Sequence, residues 1–214
     1  MERTETAPSL YLLKPAFQAS LRPLARMLAN SGVRANQVTV AACVISVGFG
    51  LVLAAHPRSR ILLVAMPVWL LLRMALNAVD GMLAGEFGQK SDLGTYLNEL
   101  GDVTSDAFLY LPFAFLPGSD SLWMTAVVML AVISEMAGVV PVMTGASRRY
   151  DGPMGKSDRA FVFAALALWC GLGWSIAPWA NYLFPRLMTL LLVATAINRV
   201  RSGLVDRNHG GING

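Results

Sequence analysis

Apolar residues along the chain fall into six blocks, which are separated by short segments rich in proline, glycine or charged residues. The blocks cover approximately residues 37–55, 60–85, 93–117, 121–145, 159–177 and 181–201. Each block is close to the roughly 20 residues that an α-helix needs to cross the hydrocarbon core of a bilayer. The pattern therefore predicts six transmembrane helices.

The chain before the first block shows a different pattern. Residues 9–30 mix apolar positions with three basic residues, which is typical of an amphipathic helix lying at the membrane interface. Pro23 is expected to interrupt this helix, because proline donates no backbone hydrogen bond and clashes with the preceding turn. Asn36 or Thr39 is expected to cap the first span.

Together these patterns predict an all-α integral membrane protein, a six-transmembrane-helix bundle with an N-terminal interfacial amphipathic helix. The predicted organisation is an N-terminal cytoplasmic or interfacial segment at 1–36, a transmembrane domain at 37–203 and a cytoplasmic tail at 204–214. Composition agrees, since 55% of the residues are hydrophobic and 14% are charged. A soluble domain has roughly 45–50% apolar and about 25% charged residues, so the soluble globular class is excluded.

The basic residues predict the orientation in the membrane. Thirteen of the 17 lysines and arginines fall on the side of the predicted bundle that carries both termini, and three fall on the opposite side. Because positive residues favour the cytoplasmic side, both termini and the polar cluster described next are expected to lie on the cytoplasmic side. The expected location is the inner membrane. The net charge of +4 then reflects topology and lipid headgroup contacts, so the expected partner is the lipid bilayer and not nucleic acid.

Polar side chains that are costly to bury lie inside the second, third and fourth predicted spans. A charge at the centre of a bilayer costs roughly 2.5–3.5 kcal/mol on insertion scales, so such residues tend to mark a functional site. They are Arg73, Asn77, Asp80, Asn98, Glu99, Asp102, Asp106 and Glu135. The alternative is a structural network around Arg73 that holds helices together, although one arginine cannot neutralise these carboxylates.

Spacing brings four of these side chains to one depth. Asn77 and Asp80 are three residues apart and share a helix face, and Asn98 and Asp102 are four apart and share another. The two spans are antiparallel around a turn centred at 89–90, so both pairs are expected roughly 12–19 Å from that turn. Carboxylate and amide oxygens suit the hard cations Mg²⁺ or Mn²⁺, which can hold a diphosphate.

The same residues carry a family resemblance. The stretch Asn77-Ala-Val-Asp80-Gly81-Met-Leu-Ala84-Gly85 is followed, after eight residues, by Gly94-Thr-Tyr-Leu-Asn98-Glu-Leu-Gly-Asp102. It resembles the CDP-alcohol phosphotransferase signature, D-x2-D-G-x2-A-R-x8-G-x3-D-x3-D, and every spacing matches. Three positions depart from the signature: Asn77 and Asn98 stand at its first and third aspartates, and Gly85 stands at its arginine.

The resemblance implies an enzyme of phospholipid biosynthesis. Members of this class transfer a phosphatidyl or other phospho-alcohol group from a CDP-linked donor to an acceptor hydroxyl and release CMP. On this hypothesis Asp102 is the general base and also touches the metal, Asp80 holds Mg²⁺ or Mn²⁺, and Asn77 and Asn98 are weaker metal ligands. Because two negative charges are lost, weaker metal affinity or a single ion is expected.

The resemblance also implies two substrate sites. Gly81, Ala84 and Gly94, with Asp80, would bind the CDP portion of a donor such as CDP-diacylglycerol, since small residues allow close approach. The acceptor is a small alcohol or phospho-alcohol, whose identity the sequence leaves open. Its predicted ligands are Lys156, Arg159, Arg199 and Glu135.

Other interpretations remain at this stage. The basic residues after the fourth span are also explained by membrane topology alone, and Glu135 by an ion pair with Arg73. A catalytically weak or inactive relative that binds a CDP-lipid, and a small transporter that uses its carboxylates for proton coupling, are the alternative functions. A homodimer is left open.

Overall fold

The helices were located in a computed structural model that describes the backbone of residues 10–210 and the side chains of residues 17–206. Within these residues there are seven α-helices and two short 3-10 helices, and no strand. The α-helices are α1 (Leu10–Asn30), α2 (Ala35–Ala55), α3 (Arg60–Glu86), α4 (Asp92–Tyr110), α5 (Ser121–Val139), α6 (Lys156–Gly171) and α7 (Pro178–Gly210). The 3-10 helices, Leu111–Phe115 and Val140–Thr144, directly follow α4 and α5.

A helix occurs at each of the six predicted spans, but within the part of the chain that the structure describes, four segments are long and apolar enough to cross a bilayer. These are Ala35–Ala55, Arg60–Glu86, Ser121–Thr144 and Pro178–Asp206. The α4 helix carries four acidic residues within its 19 positions, and α6 has only 16 residues. At about 1.5 Å per residue, α6 is about 24 Å long, which is shorter than the roughly 30 Å hydrocarbon core.

The amphipathic α1 helix is present, but it is not interrupted at Pro23 as predicted. Pro23 and Ala19 both lie on the exposed side of the helix. Because proline has no backbone N–H group, the Ala19 carbonyl receives no hydrogen bond from position 23. Water can satisfy that carbonyl, so the helix continues through the proline. The opposite side of α1 buries Ala25 against an apolar cluster.

The chain divides into two compact units, and the boundary between them falls within α2, α3 and α4. The first unit lies within Met1–Ala42 and Leu71–Gly101. Its core joins α1, the start of α2 and the end of α3 through the buried residues Ala25, Ala35, Val38, Val79, Met82 and Leu83.

The described residues of the second unit lie within Cys43–Leu70 and Asp102–Gly214. Its larger core includes the aromatic rings of Tyr110, Phe113 and Phe163. The Tyr110 and Phe163 rings stack with centroids 4.1 Å apart, and Phe113 meets Phe163 edge-on at 5.1 Å. This aromatic contact joins the end of α4 to α6.

Candidate functional site

In the first unit, Asp80 is buried near the end of α3 and is 6% exposed. Its Oδ2 atom accepts a hydrogen bond from the Thr39 hydroxyl at 2.7 Å. Thr39 therefore does not cap the first span, because α2 already begins at Ala35 and the hydroxyl points to α3. Neither residue predicted for the cap lies at the helix start, since Asn36 is also inside α2.

The turn between α3 and α4 is fastened to the start of α2. The Gln89 side chain accepts a hydrogen bond from the Ala35 amide at 2.7 Å and donates one to the Val33 carbonyl at 3.3 Å. The Ser91 hydroxyl accepts from the Gly94 amide at 3.0 Å, which is the arrangement of a helix N-cap for α4. These bonds fix where α3 ends and α4 begins.

The three small residues of the signature have different surroundings. A Cβ atom at Gly81 would meet no other atom within 4 Å, so the space beside it is open. A Cβ atom at Gly94 would come within 2.7 Å of the Asn36 side-chain oxygen, so this position supports helix packing. Ala84 is half-buried against the apolar core of the first unit.

Asn77 lies three residues before Asp80 on α3, and Asn98 lies on α4; both are half-buried. The oxygen donors of the first unit are therefore one carboxylate and two amides at the positions predicted to hold metal. Their chemistry fits a hard cation such as Mg²⁺ or Mn²⁺, while their low total charge predicts weak binding. Among the described residues, no group of three or more His, Cys, Asp or Glu side chains could hold a metal ion.

In the second unit, Asp102 on α4 forms an ion pair with Lys156, the first residue of α6. The Lys156 side chain is 35% exposed and the Asp102 side chain 16%, so solvent reaches both. The Asp102 carboxylate is therefore accessible to a proton-donating substrate, and it has a cation beside it.

One turn further along both helices lies a buried ion pair. The Arg159 side chain is completely buried and donates to Asp106 Oδ2 at 3.1 Å and to Glu135 Oε1 at 2.7 Å. It also donates to the Ser134 hydroxyl at 3.4 Å and to the Met154 carbonyl at 3.3 Å. Arg159 thus joins α4, α5, α6 and the loop before α6.

Arg199 on α7 completes this buried cluster. It donates to the Ser134 carbonyl at 2.6 Å and to the Asp151 carbonyl at 3.2 Å, and lies 3.3 Å from Glu135 Oε1. The partners of Glu135 in this unit are therefore Arg159, Arg199 and, at 3.9 Å, Arg148.

The loop between α5 and α6 has no regular secondary structure after residue 144, but hydrogen bonds attach it to α5 and α7. The Arg149 amide donates to the Gly138 carbonyl at 2.9 Å, and the Met154 amide donates to the Thr195 hydroxyl at 3.0 Å. The Arg149 guanidinium makes two bonds to the Asp151 carboxylate, which raise the pKa of that guanidinium. The loop therefore holds a defined conformation beside Lys156.

Sequence reasoning missed two contacts of the site. Asp106 was named as a polar residue within a span, but its pairing with Arg159 was missed; the signal was that Asp102 and Asp106, like Lys156 and Arg159, are about one helical turn apart. The hydrogen bond from Thr39 to Asp80 gave no signal, because the two residues are 41 positions apart.

Comparison with known proteins identifies the family. The family model described as CDP-alcohol phosphatidyltransferase matches residues 33–197, which is most of the chain. The chain belongs to the CDP-alcohol phosphatidyltransferase family. Membership of this family of transferases confirms the resemblance in the signature, and the long apolar helices agree with the membrane location of the class.

Two relatives of this CDP-alcohol phosphatidyltransferase family member illustrate the match. The chain is 45% identical over 203 residues to the inner membrane protein YnbA of Escherichia coli strain K12, covering 92% of this chain and 97% of that protein. It also superposes with a TM-score of 0.70 on a crystal structure of the Mycobacterium tuberculosis phosphatidylinositol phosphate synthase PgsA1 with CDP-DAG bound. The superposition covers 85% of this chain and 92% of the PgsA1 chain, with 19% sequence identity, and shows that the two proteins share a fold.

Proposed function

We propose that this protein transfers a phosphatidyl or related phospho-alcohol group from a CDP-linked lipid to the hydroxyl of a small alcohol, with release of CMP. The observation that carries the proposal is the pairing of family membership with two retained signature aspartates. Asp80 is buried with a hydrogen-bond donor, and Asp102 is partly accessible with a cation beside it.

Asp102 is the proposed general base. Its carboxylate takes the proton of the acceptor hydroxyl as the acceptor oxygen forms a bond to the lipid-linked phosphorus of the donor. The bond between that phosphorus and the oxygen of CMP breaks, and CMP leaves with its own phosphate. The partial exposure of Asp102 supports this role, because a base needs direct contact with the hydroxyl it deprotonates.

The donor is proposed to bind through the residues of the signature on α3 and the start of α4. Mg²⁺ or Mn²⁺, when bound, would neutralise the diphosphate and make CMP a better leaving group. The proposed metal ligands are Asp80, Asp102, Asn77 and Asn98. Gly81, Ala84 and Gly94, with Asp80, are the proposed contacts of the CDP portion, and the open space beside Gly81 supports this assignment.

The acceptor is proposed to bind beside Lys156, whose side chain is 35% exposed and whose ammonium group can contact a hydroxyl or a phosphate of the alcohol. Arg159, Arg199 and Glu135 were predicted to share this role. Their side chains are buried and occupied by one another, so direct contact with the acceptor would require the cluster to open. Both termini and the reacting groups are proposed to face the cytoplasm, as the distribution of basic residues predicts.

A release assay tests the proposal. Purified protein is given CDP-diacylglycerol, Mg²⁺ or Mn²⁺ and a panel of alcohols and phospho-alcohols, and CMP is measured. Alcohol-dependent CMP release is expected from the wild type, and its loss is expected in Asp102→Asn. Asp92→Asn is the matched control, because Asp92 is an exposed aspartate on the same helix at a position that the signature leaves variable.

A second candidate function is a relative that binds a CDP-lipid without transferring it. Asn77 and Asn98 favour it, because each replaces a carboxylate that the family signature provides. Binding of the CDP-lipid with no CMP release for any alcohol would support this alternative over the transferase.

A further inference from the structure

The contacts between α4 and α6 in the second unit form two parallel ion pairs. Asp102 and Asp106 are four residues apart on α4, and Lys156 and Arg159 are three apart on α6. Each spacing corresponds to about one helical turn, so each helix presents both of its residues on one side. Asp102 therefore pairs with Lys156, and Asp106 with Arg159.

The two ion pairs differ in their surroundings. The side chains of Lys156 and Asp102 are 35% and 16% exposed, whereas those of Arg159 and Asp106 are 0% and 5% exposed. A solvated ion pair between a flexible lysine and an aspartate holds its geometry poorly. The outer pair therefore needs another feature to fix the relative position of the two helices.

The inner pair has the properties of such a feature. The guanidinium of Arg159 donates to carboxylates on α4 and α5, through Asp106 and Glu135. It also donates to the carbonyl of Met154, two residues before Lys156, which joins it to the loop that leads into α6. A planar guanidinium can serve these divergent acceptors at once, and a lysine ammonium in the same place cannot.

We propose that Arg159 is a positioning residue that sets α6 against α4, so that Lys156 is held on the Asp102 carboxylate. If the guanidinium loses one of its acceptors, or is replaced by an ammonium group that cannot bind all of them, α4 is no longer held against α6 and the outer pair loses its alignment. Arg159 acts on the reaction through Lys156 and Asp102 and does not touch the substrates. The proposal rests on the transferase function for its kinetic consequences.

A kinetic experiment tests this role. Arg159→Lys keeps the positive charge but loses the planar guanidinium. It is expected to lower kcat for CMP release by about 10²-fold, while the KM for the CDP-lipid changes less than about threefold. Arg186→Lys is the matched control. Arg186 forms an ion pair with Asp120, the N-cap residue of α5, at the opposite end of α5 from Glu135 and the site. Equal loss of kcat in both variants, or an unchanged kcat in Arg159→Lys, would overturn the proposal.

A second experiment measures the geometry without relying on activity. In a background with Cys43→Ala and Cys170→Ala, the substitutions Asp102→Cys and Lys156→Cys are joined by a short bis-maleimide, and the linked peptides are quantified by mass spectrometry. Adding Asp106→Asn, which leaves Arg159 its contact with Glu135, is expected to reduce linking about tenfold or more. Unchanged linking would overturn the positioning role even if the protein proved not to be a transferase, and an inactive wild type would count against the proposed function alone.

Discussion

The hydroxyl of Thr39 donates a 2.7 Å hydrogen bond to the Oδ2 atom of Asp80. The bond joins α2 to α3 within the first unit and orients a carboxylate that is only 6% exposed. A buried carboxylate is costly unless its oxygens are hydrogen-bonded, so the threonine contributes both to stability and to the direction in which the second carboxylate oxygen points.

Replacing this donor is therefore expected to affect stability and turnover together. Thr39→Val should lower the free energy of unfolding by about 1.5–3 kcal/mol, because a hydrogen bond to a charged group is lost at nearly constant side-chain volume. Thermal unfolding in detergent and CMP release measure the two effects. Thr39→Ser keeps the hydroxyl and should behave like the wild type; equal stability of the valine and serine variants would contradict the prediction.

Restoring the carboxylates of the signature is expected to tighten metal binding. Asn77→Asp and Asn98→Asp each add a negative charge at a proposed ligand, so the Mg²⁺ or Mn²⁺ concentration for half-maximal CMP release should fall by at least about tenfold in the double variant. Removing the metal with a chelator should abolish release in both proteins. A metal dependence identical to the wild type would show that these two positions are not ligands.

The signature glycines are expected to respond differently to alanine. At Gly94 the added methyl group meets Asn36 Oδ1 at 2.7 Å and Ser91 Oγ at 3.0 Å, so both side chains must move and the Ser91 cap of α4 is disturbed; Gly94→Ala should be less stable than Gly81→Ala by about 1 kcal/mol. At Gly81 the methyl group meets open space and alanine favours the helix, so Gly81→Ala should not lower the melting temperature and should raise the KM for the CDP-lipid.

Gly85→Ala is the control for both glycine variants, because its added methyl group also enters open space and Gly85 is not a proposed substrate contact. It should not lower the melting temperature and should leave the KM unchanged. Equal stability of the Gly81 and Gly94 variants would refute the distinction.

The hydrogen bonds from Gln89 that hold the turn between α3 and α4 against α2 are expected to contribute to stability and not to turnover. Gln89→Ala removes two hydrogen bonds to the start of α2, one to the Ala35 amide and one to the Val33 carbonyl, and should cost about 1–3 kcal/mol. Lys90→Ala, at the exposed neighbouring position, should have no measurable effect. Unfolding curves that coincide for the two variants would rule out this role for Gln89.

The helices of this protein were largely predictable from hydrophobic blocks, because a span must be apolar over nearly its whole length. Their ends were less so: α4 and α5 stop as α-helices just before Pro112 and Pro141, and each continues as a 3-10 helix. The spacing of residues along the signature also identified Asp80 on α3 and Asp102 on α4 as site residues. It could not give the partner on another helix, and so the ion pair between Arg159 and Asp106 was not foreseen.

The brevity of α6 has a consequence for the surrounding lipid. If this helix crosses the bilayer as its sequence predicts, its roughly 24 Å must match a hydrocarbon layer of roughly 30 Å. The leaflet beside it must then thin, or water must enter as a shallow dent above Lys156. Such a dent would let a water-soluble alcohol descend to the level of a phosphate that its acyl chains keep anchored in the membrane.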